Sequence, residues 1–141
     1  MRFFDASALV KRYIREQGST QVRRLLRSGD VAVSRLSEVE VVSAFARLAR
    51  ENSISRAQRD SVAKAFVRDL KAWHVVELTP EVIVTARRLL MHHALRSGDA
   101  MQLAGALVLQ AGLGDGLLGV VAYDHRVLDA ARAEQLTVIG A

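Results

Sequence analysis

A chain of 141 residues suffices for one domain that buries roughly two-thirds of its unfolded surface in a single core, and it contains no cysteine, which excludes disulfides, zinc–thiolate centres and thiol catalysis. No apolar run approaches the roughly 18 residues of a membrane span, and the N-terminus lacks the apolar core of a signal peptide, so a cytoplasmic protein is expected. The net charge of +5 is uneven: residues 1–71 carry +7, residues 72–141 carry −2, and the basic residues are mostly Arg, which suits a polyanionic partner or simply solvated helix faces.

In chain order, residues 2–4 read as a first short strand, followed by helices from about Ser7 to Glu16 and from Thr20 to Arg27. "VAVS" (31–34) is a second strand. An amphipathic helix over about 37–51 carries Val41, Phe45 and Leu48 at helical spacing. Another, over about 55–71, carries Val62, Phe66 and Leu70, a stripe that with Trp73 reads as core or dimer surface. "HVVEL" (74–78) is a third strand. Thr79 and Pro80 then open a helix in the preferred order of cap and proline, running to about His93.

"SGDAMQLAGALVLQAG" starts a buried helix ending near Gly112, and "GLGDGLLG" (112–119) reads as a turn, since it precedes a strand rather than opening a helix as a phosphate loop would. "LLGVVAY" (117–123) is a fourth strand, "DHRVLDAARAEQ" a helix and "LTVIG" a last short strand. Short apolar strands separated by helices predict one α/β domain over 1–141 with a mostly parallel sheet covered on both faces.

Ligands of such sheets bind at the carboxyl ends of the strands, which draws attention to the acids there. Asp5 follows the first strand, Asp124 the fourth, and Asp99 opens the buried helix. Each also suits helix capping. Asp99 has Gln102 three residues on, and Ser37–Glu40 spells S-x-x-E, both capping-box arrangements. Glu38 and Glu40 point about 200° apart on a helix, so only one of them can face a shared site. Two like charges about 4 Å apart repel by roughly 4 kcal/mol at an effective dielectric of 20. That exceeds the benefit of a cap, so three or four converging acids imply a cation, and oxygen-only ligands suit Mg²⁺ or Mn²⁺.

Together, "FFDASALVKRY", "SEVEVVSAFARLAR", "LRSGDAMQLAGAL" and "VVAYDHRVLDAARAEQLTVI" resemble the PIN-domain family, and specifically the VapC-type toxins of bacterial toxin–antitoxin pairs. The resemblance implies an α/β/α sandwich around a short sheet of about five strands. It implies a metal-dependent endoribonuclease, using Mg²⁺ or Mn²⁺, that leaves 5′-phosphate and 3′-hydroxyl ends on RNA. It also implies a homodimer silenced by a small VapB-like antitoxin seated in a groove beside the acids. Carried over by position, the catalytic and metal-holding residues are Asp5, Glu40, Asp99 and Asp124, with the family's usual hydroxyl at Ser7. The sequence departs at Ala122, where the family usually has Thr or Ser, removing a hydroxyl near Asp124. Arg12 and Arg47, with Ser7, are the candidates for contact with RNA.

Competing expectations are a metal-free ribonuclease built on His92 and His93, which adjacent helix positions cannot make a facing pair, and a phosphoacceptor domain. The latter needs a Lys after a late strand, whereas every Lys lies at or before residue 71. A binding module of the same fold with weakened catalysis is the alternative to the enzyme.

Overall fold

The computed structural model describes residues 1–116 and 119–140. Five strands, β1 (Arg2–Phe4), β2 (Val31–Ser34), β3 (His74–Val76), β4 (Gly119–Val121) and β5 (Val138–Ile139), form one sheet in the order β3-β2-β1-β4-β5. All four pairings are parallel. Parallel neighbours need crossovers rather than hairpins, and seven helices supply them: α1 (Ala6–Tyr13), α2 (Ser19–Arg27), α3 (Ser37–Arg50), α4 (Arg56–Leu70), α5 (Pro80–His92), α6 (Ser97–Leu113) and α7 (His125–Ala133).

Successive strand residues face opposite sides of a sheet, and β1 feeds two cores accordingly. Phe3 joins Val82, Ala86 and Leu89 of α5, Leu103 and Ala104 of α6, and Ala130 of α7. Phe4 joins Leu9 of α1, Val22 of α2, Phe45 of α3 and Phe66 of α4. Both Phe3 and Phe4 are fully buried, each stabilising the fold by about 1.5–3 kcal/mol. Tyr13, Phe45 and Phe66 meet edge to face, with centroids 5.7–6.4 Å apart, and Trp73 leans on Phe66. Phe66 and Leu70 are therefore core.

The expected elements are all present, with corrected ends. α1 stops at Tyr13 rather than Glu16, because Ile14 is extended and the chain turns back through Gly18 at φ +92°. β3 ends at Val76, where its pairing with β2 ends at Ser34, and the Glu77 side chain beyond it pairs with Arg35. The fourth strand is shorter than 117–123, although residues 117 and 118 lie outside those described. α6 runs one residue past Gly112, and Gly114–Gly116 form a 3₁₀ turn within the expected turn.

Among the caps, Thr79 behaves as expected, its hydroxyl accepting from the Val82 amide at 3.3 Å. A full capping box forms at Ser55 and Gln58. Neither box expected around the acids forms. The cap position of α3 is Leu36, so Ser37 already lies inside the helix. The cap position of α6 is Arg96, which puts Asp99 third in the helix.

Candidate active site

The strand order reverses direction at β1: the chain passes first to β2 on one side and later to β4 on the other. Beyond the carboxyl ends of such a pair the crossovers diverge and leave a crevice. Asp5 stands directly after β1, and Asp124 follows β4 on the same edge. The Asp5 amide donates to Val121 O at 2.9 Å, tying the two strand ends together.

Asp5 caps α1: its Oδ2 accepts from the Ser7 amide at 3.1 Å and from the Ser7 hydroxyl at 2.6 Å. That hydroxyl oxygen in turn accepts from the Tyr123 amide at 3.1 Å. One side chain thus joins the start of α1 to the chain leaving β4. Asp5 is 5% exposed, and burial pushes its carboxyl up to about 6, with Glu40 and Asp99 adding to the rise and the Ser7 hydrogen bonds opposing it. Asp124 caps α7 through Oδ1, which accepts from the amides of Arg126 and Val127, leaving Oδ2 free for other partners.

Glu40 and Asp99 reach the crevice from the first turns of α3 and α6. Glu40 Oε1 accepts from Gln102 Nε2 at 2.7 Å, and the same amide donates to Ser37 Oγ at 2.9 Å. Gln102 is 1% exposed, and its own carbonyl oxygen lacks a partner. Gly98 leaves room for Glu40, since a Cβ there would stand 2.9 Å from Glu40 Oε2. Glu38 points outward to Arg35 and is not among the residues that line the cavity. Asp99 accepts from Arg96 Nε at 3.2 Å, and the other arm of Arg96 reaches Asp124 Oδ2 at 3.5 Å. Asp99, followed at a distance by Asp124 and Glu40, favours the charged guanidinium.

These groups line one open cavity of about 300 Å³, walled by Asp5, Ser7, Glu40, Asp99 and Asp124 together with Arg47, Arg96 and Glu16. A groove of about 620 Å³ adjoins it, lined by Val39, Glu40, Ser43, Arg47, Gly98 and Asp99 among others. The donor set fits a hard divalent cation in kind, being carboxylate oxygen only. It also fits in charge: on the cavity wall five acids, Asp5, Glu16, Glu40, Asp99 and Asp124, face two bases, Arg47 and Arg96. As placed, however, no three acids among the described residues stand close enough together to hold an ion. Gln102 draws Glu40 to one side and Arg96 occupies Asp99 and Asp124.

Other candidates fall elsewhere. Arg12 donates to Asp69 at 2.9 Å, sharing that carboxylate with the Tyr13 hydroxyl at 2.7 Å, and is not among the cavity residues. His93 pairs with Glu134 beside Arg88, away from the acids. Ala122 is fully buried against Val127 and Leu128, so its methyl sits in an apolar setting. Sequence reasoning missed Arg96 and Gly98, and it gave Gln102 a capping role. The available signal was a polar side chain, Gln102, early in the apolar run of a buried helix.

A family model for the PIN domain matches residues 2–133. The chain belongs to the PIN-domain family. It is 36% identical over 132 residues to the proteins called Ribonuclease VapC45 and Ribonuclease VapC49, from two strains of Mycobacterium tuberculosis, spanning 93% of this chain and 89% of each relative. Among solved structures, FitAcB from Neisseria gonorrhoeae superposes with a TM-score of 0.71 at 15% identity, covering 99% of this chain and 96% of its own. VapC20 of M. tuberculosis, a sarcin–ricin-loop-cleaving toxin, gives 0.66 at 18%, covering 92% and 95%. At these identities the superpositions speak for the fold, a five-stranded parallel PIN sheet between two helical layers.

Proposed function

We propose that this PIN domain is a divalent-cation-dependent endoribonuclease, the toxin of a toxin–antitoxin pair whose RNA cleavage inhibits translation and growth. The observation that carries the proposal is the convergence of Asp5, Glu40, Asp99 and Asp124 on one cavity, in a chain related over nearly its whole length to two ribonucleases.

Asp5, Asp99 and Asp124 would hold Mg²⁺ or Mn²⁺, with Glu40 holding a second ion or orienting the attacking water. The cation, when bound, supplies charge neutralisation at the phosphate and a more acidic water. Ser7 fixes the rotamer of Asp5, and Gln102 fixes that of Glu40. Hydrolysis by water leaves a 5′-phosphate and a 3′-hydroxyl without using the RNA 2′-hydroxyl. Arg47, on the cavity wall, faces a flanking phosphate. One turn further along α3, Arg50 opens a cleft of about 390 Å³ that also holds Arg56 and Arg59, extending the basic track. Arg12 serves the fold instead.

The groove beside the acids, with exposed Val39 and the Ala44 methyl on its α3 side, suits an apolar segment of a VapB-like antitoxin. The outer face of α5, with Val84, Leu90 and Met91 exposed, suits homodimerisation. Action on cellular RNA places the protein in the cytoplasm, and no described helix is long and apolar enough to cross a membrane.

A second reading, an RNA- or protein-binding module with weakened catalysis, is favoured by the unassembled acids. One experiment separates the two. Purified wild type and Asp5→Asn are incubated with total RNA in Mg²⁺, in Mn²⁺ and in EDTA, and new 5′-phosphate ends are mapped. Ends that appear only with wild type and metal support the nuclease. Equal cleavage by both proteins, or cleavage in EDTA, defeats it.

A further inference from the structure

Arg96 occupies a position where helix electrostatics do not want it. It is the residue preceding α6 and makes no side-chain cap, and a cation at a helix N-terminus opposes the positive end of the helix dipole. What holds it there is the acids. Its Nε takes Asp99 Oδ2 at 3.2 Å and a terminal nitrogen takes Asp124 Oδ2 at 3.5 Å, so it bridges α6 and the end of β4 across the cavity mouth.

The oxygens it engages matter. Asp124 spends Oδ1 on the amides of α7, which leaves Oδ2 as its outward donor. For Asp99, Arg96 is the partner found among the described residues. The guanidinium therefore covers two donors that a cation at this site requires. Its side chain is 69% exposed, and exposed ion pairs of this length hold a side chain only loosely. The contact is strong enough to compete and weak enough to yield.

We propose that Arg96 is a displaceable internal counter-ion, which neutralises Asp99 and Asp124 until a divalent cation takes their oxygens and releases it. This rests on the metal-dependent reading above. It makes the measured affinity for metal lower than the acids alone would give, in proportion to the fraction of molecules whose latch is open. It also explains why the four acids line one cavity without three of them standing at ligating distance.

The test is calorimetric titration with Mn²⁺ alone, at fixed ionic strength, of the wild type and the Arg96→Gln, Arg96→Lys and Arg126→Gln variants. Removing a surface pair and its competition should tighten binding by about three- to tenfold in Arg96→Gln. Lysine keeps the charge but lacks the planar fork that spans Asp99 and Asp124, and should give a smaller gain. Arg126→Gln removes the same charge two residues from Asp124 but no side-chain contact to the acids, and should change affinity least.

Equal or weaker Mn²⁺ binding by Arg96→Gln overturns the latch and leaves the metal site standing. So does an equal gain in Arg126→Gln, since net charge alone would then explain it. Absence of Mn²⁺ binding in every protein overturns the metal reading and the latch with it.

Discussion

Two carboxylate sites lie within one small domain and are built on opposite principles. At the first, a single acid, Asp69, meets Arg12 and the half-buried Tyr13 hydroxyl. Burial there opposes ionisation, but the Tyr13 and Arg12 hydrogen bonds outweigh it and hold the carboxyl below its ordinary value. At the second, four acids face one cavity, and burial drives Asp5 up to about 6. The first site has a partner for its charge and stabilises the fold. The second has more acids than basic neighbours, which is a cost to the fold and the basis of the cation site proposed above.

The largest expected break in this contrast is Asp5→Asn. If Asp5 holds the catalytic cation, cleavage falls by about a hundredfold or more, because several kcal/mol of transition-state stabilisation depend on the ion. The same change removes a buried charge, so the melting temperature measured in EDTA at pH 8 should rise by several degrees. Loss of activity together with loss of stability would contradict the comparison. Gly98→Ala is the next test. Its methyl must displace the Glu40 carboxylate from 2.9 Å, and a shift near 1 Å at a catalytic group costs on the order of tenfold to a hundredfold in kcat, with a small change in melting temperature.

Asp69→Ala should do the reverse. It leaves Tyr13 and Arg12 without their shared acceptor and costs about 2 kcal/mol, or roughly 6–10 °C of melting temperature for a chain of this size. The protein that remains folded should retain its specific activity and its affinity for RNA.

The smallest and most diagnostic effect is the pH dependence in EDTA. Asp5 has a folded pKa above its unfolded value, so its contribution is present below about pH 4 and is lost as pH rises toward 6. Asp69 has a lowered folded pKa, so its contribution is present above its unfolded value and is lost as pH falls through the folded one. Between pH 4 and pH 6 the stability of wild type should therefore decline by about 1–3 kcal/mol relative to Asp5→Asn. Parallel pH curves for the two proteins would show that Asp5 is not the strained charge.

Much of the fold was legible because its determinants are local. The Thr79-Pro80 start, the Val41–Phe45–Leu48 stripe and the apolar run of α6 act over a few residues, within reach of a periodicity argument. Asp5 and Asp124 were legible both as caps and as acids after strands, and they proved to be both. Where a local signal competed with a distant partner, the distant partner won. Ser37–Glu40 and Asp99–Gln102 are two separate capping-box patterns, yet the Gln102 amide bonds Ser37 and Glu40 across more than 60 residues. Burial explains that outcome, since Gln102 at 1% exposure must place its amide hydrogens, and α3 offers acceptors where its own helix does not.

By itself, then, the sequence determined the alternation of strand and helix, the two-sided burial of Phe3 and Phe4, and the placing of acids where strands end. Tertiary structure decided which charges meet. It sent Arg12 to Asp69, 57 residues away, and turned Glu38 outward. It also brought Asp5 and Asp124 to the same crevice and laid Arg96 over two of the acids. Parallel pairing is the physical reason. Each neighbouring strand is reached through a long crossover, so residues that share a site are far apart in sequence. Their encounter is set by sheet order and by the side-chain bonds from Gln102 of α6 to Ser37 and Glu40 of α3, which no local pattern encodes.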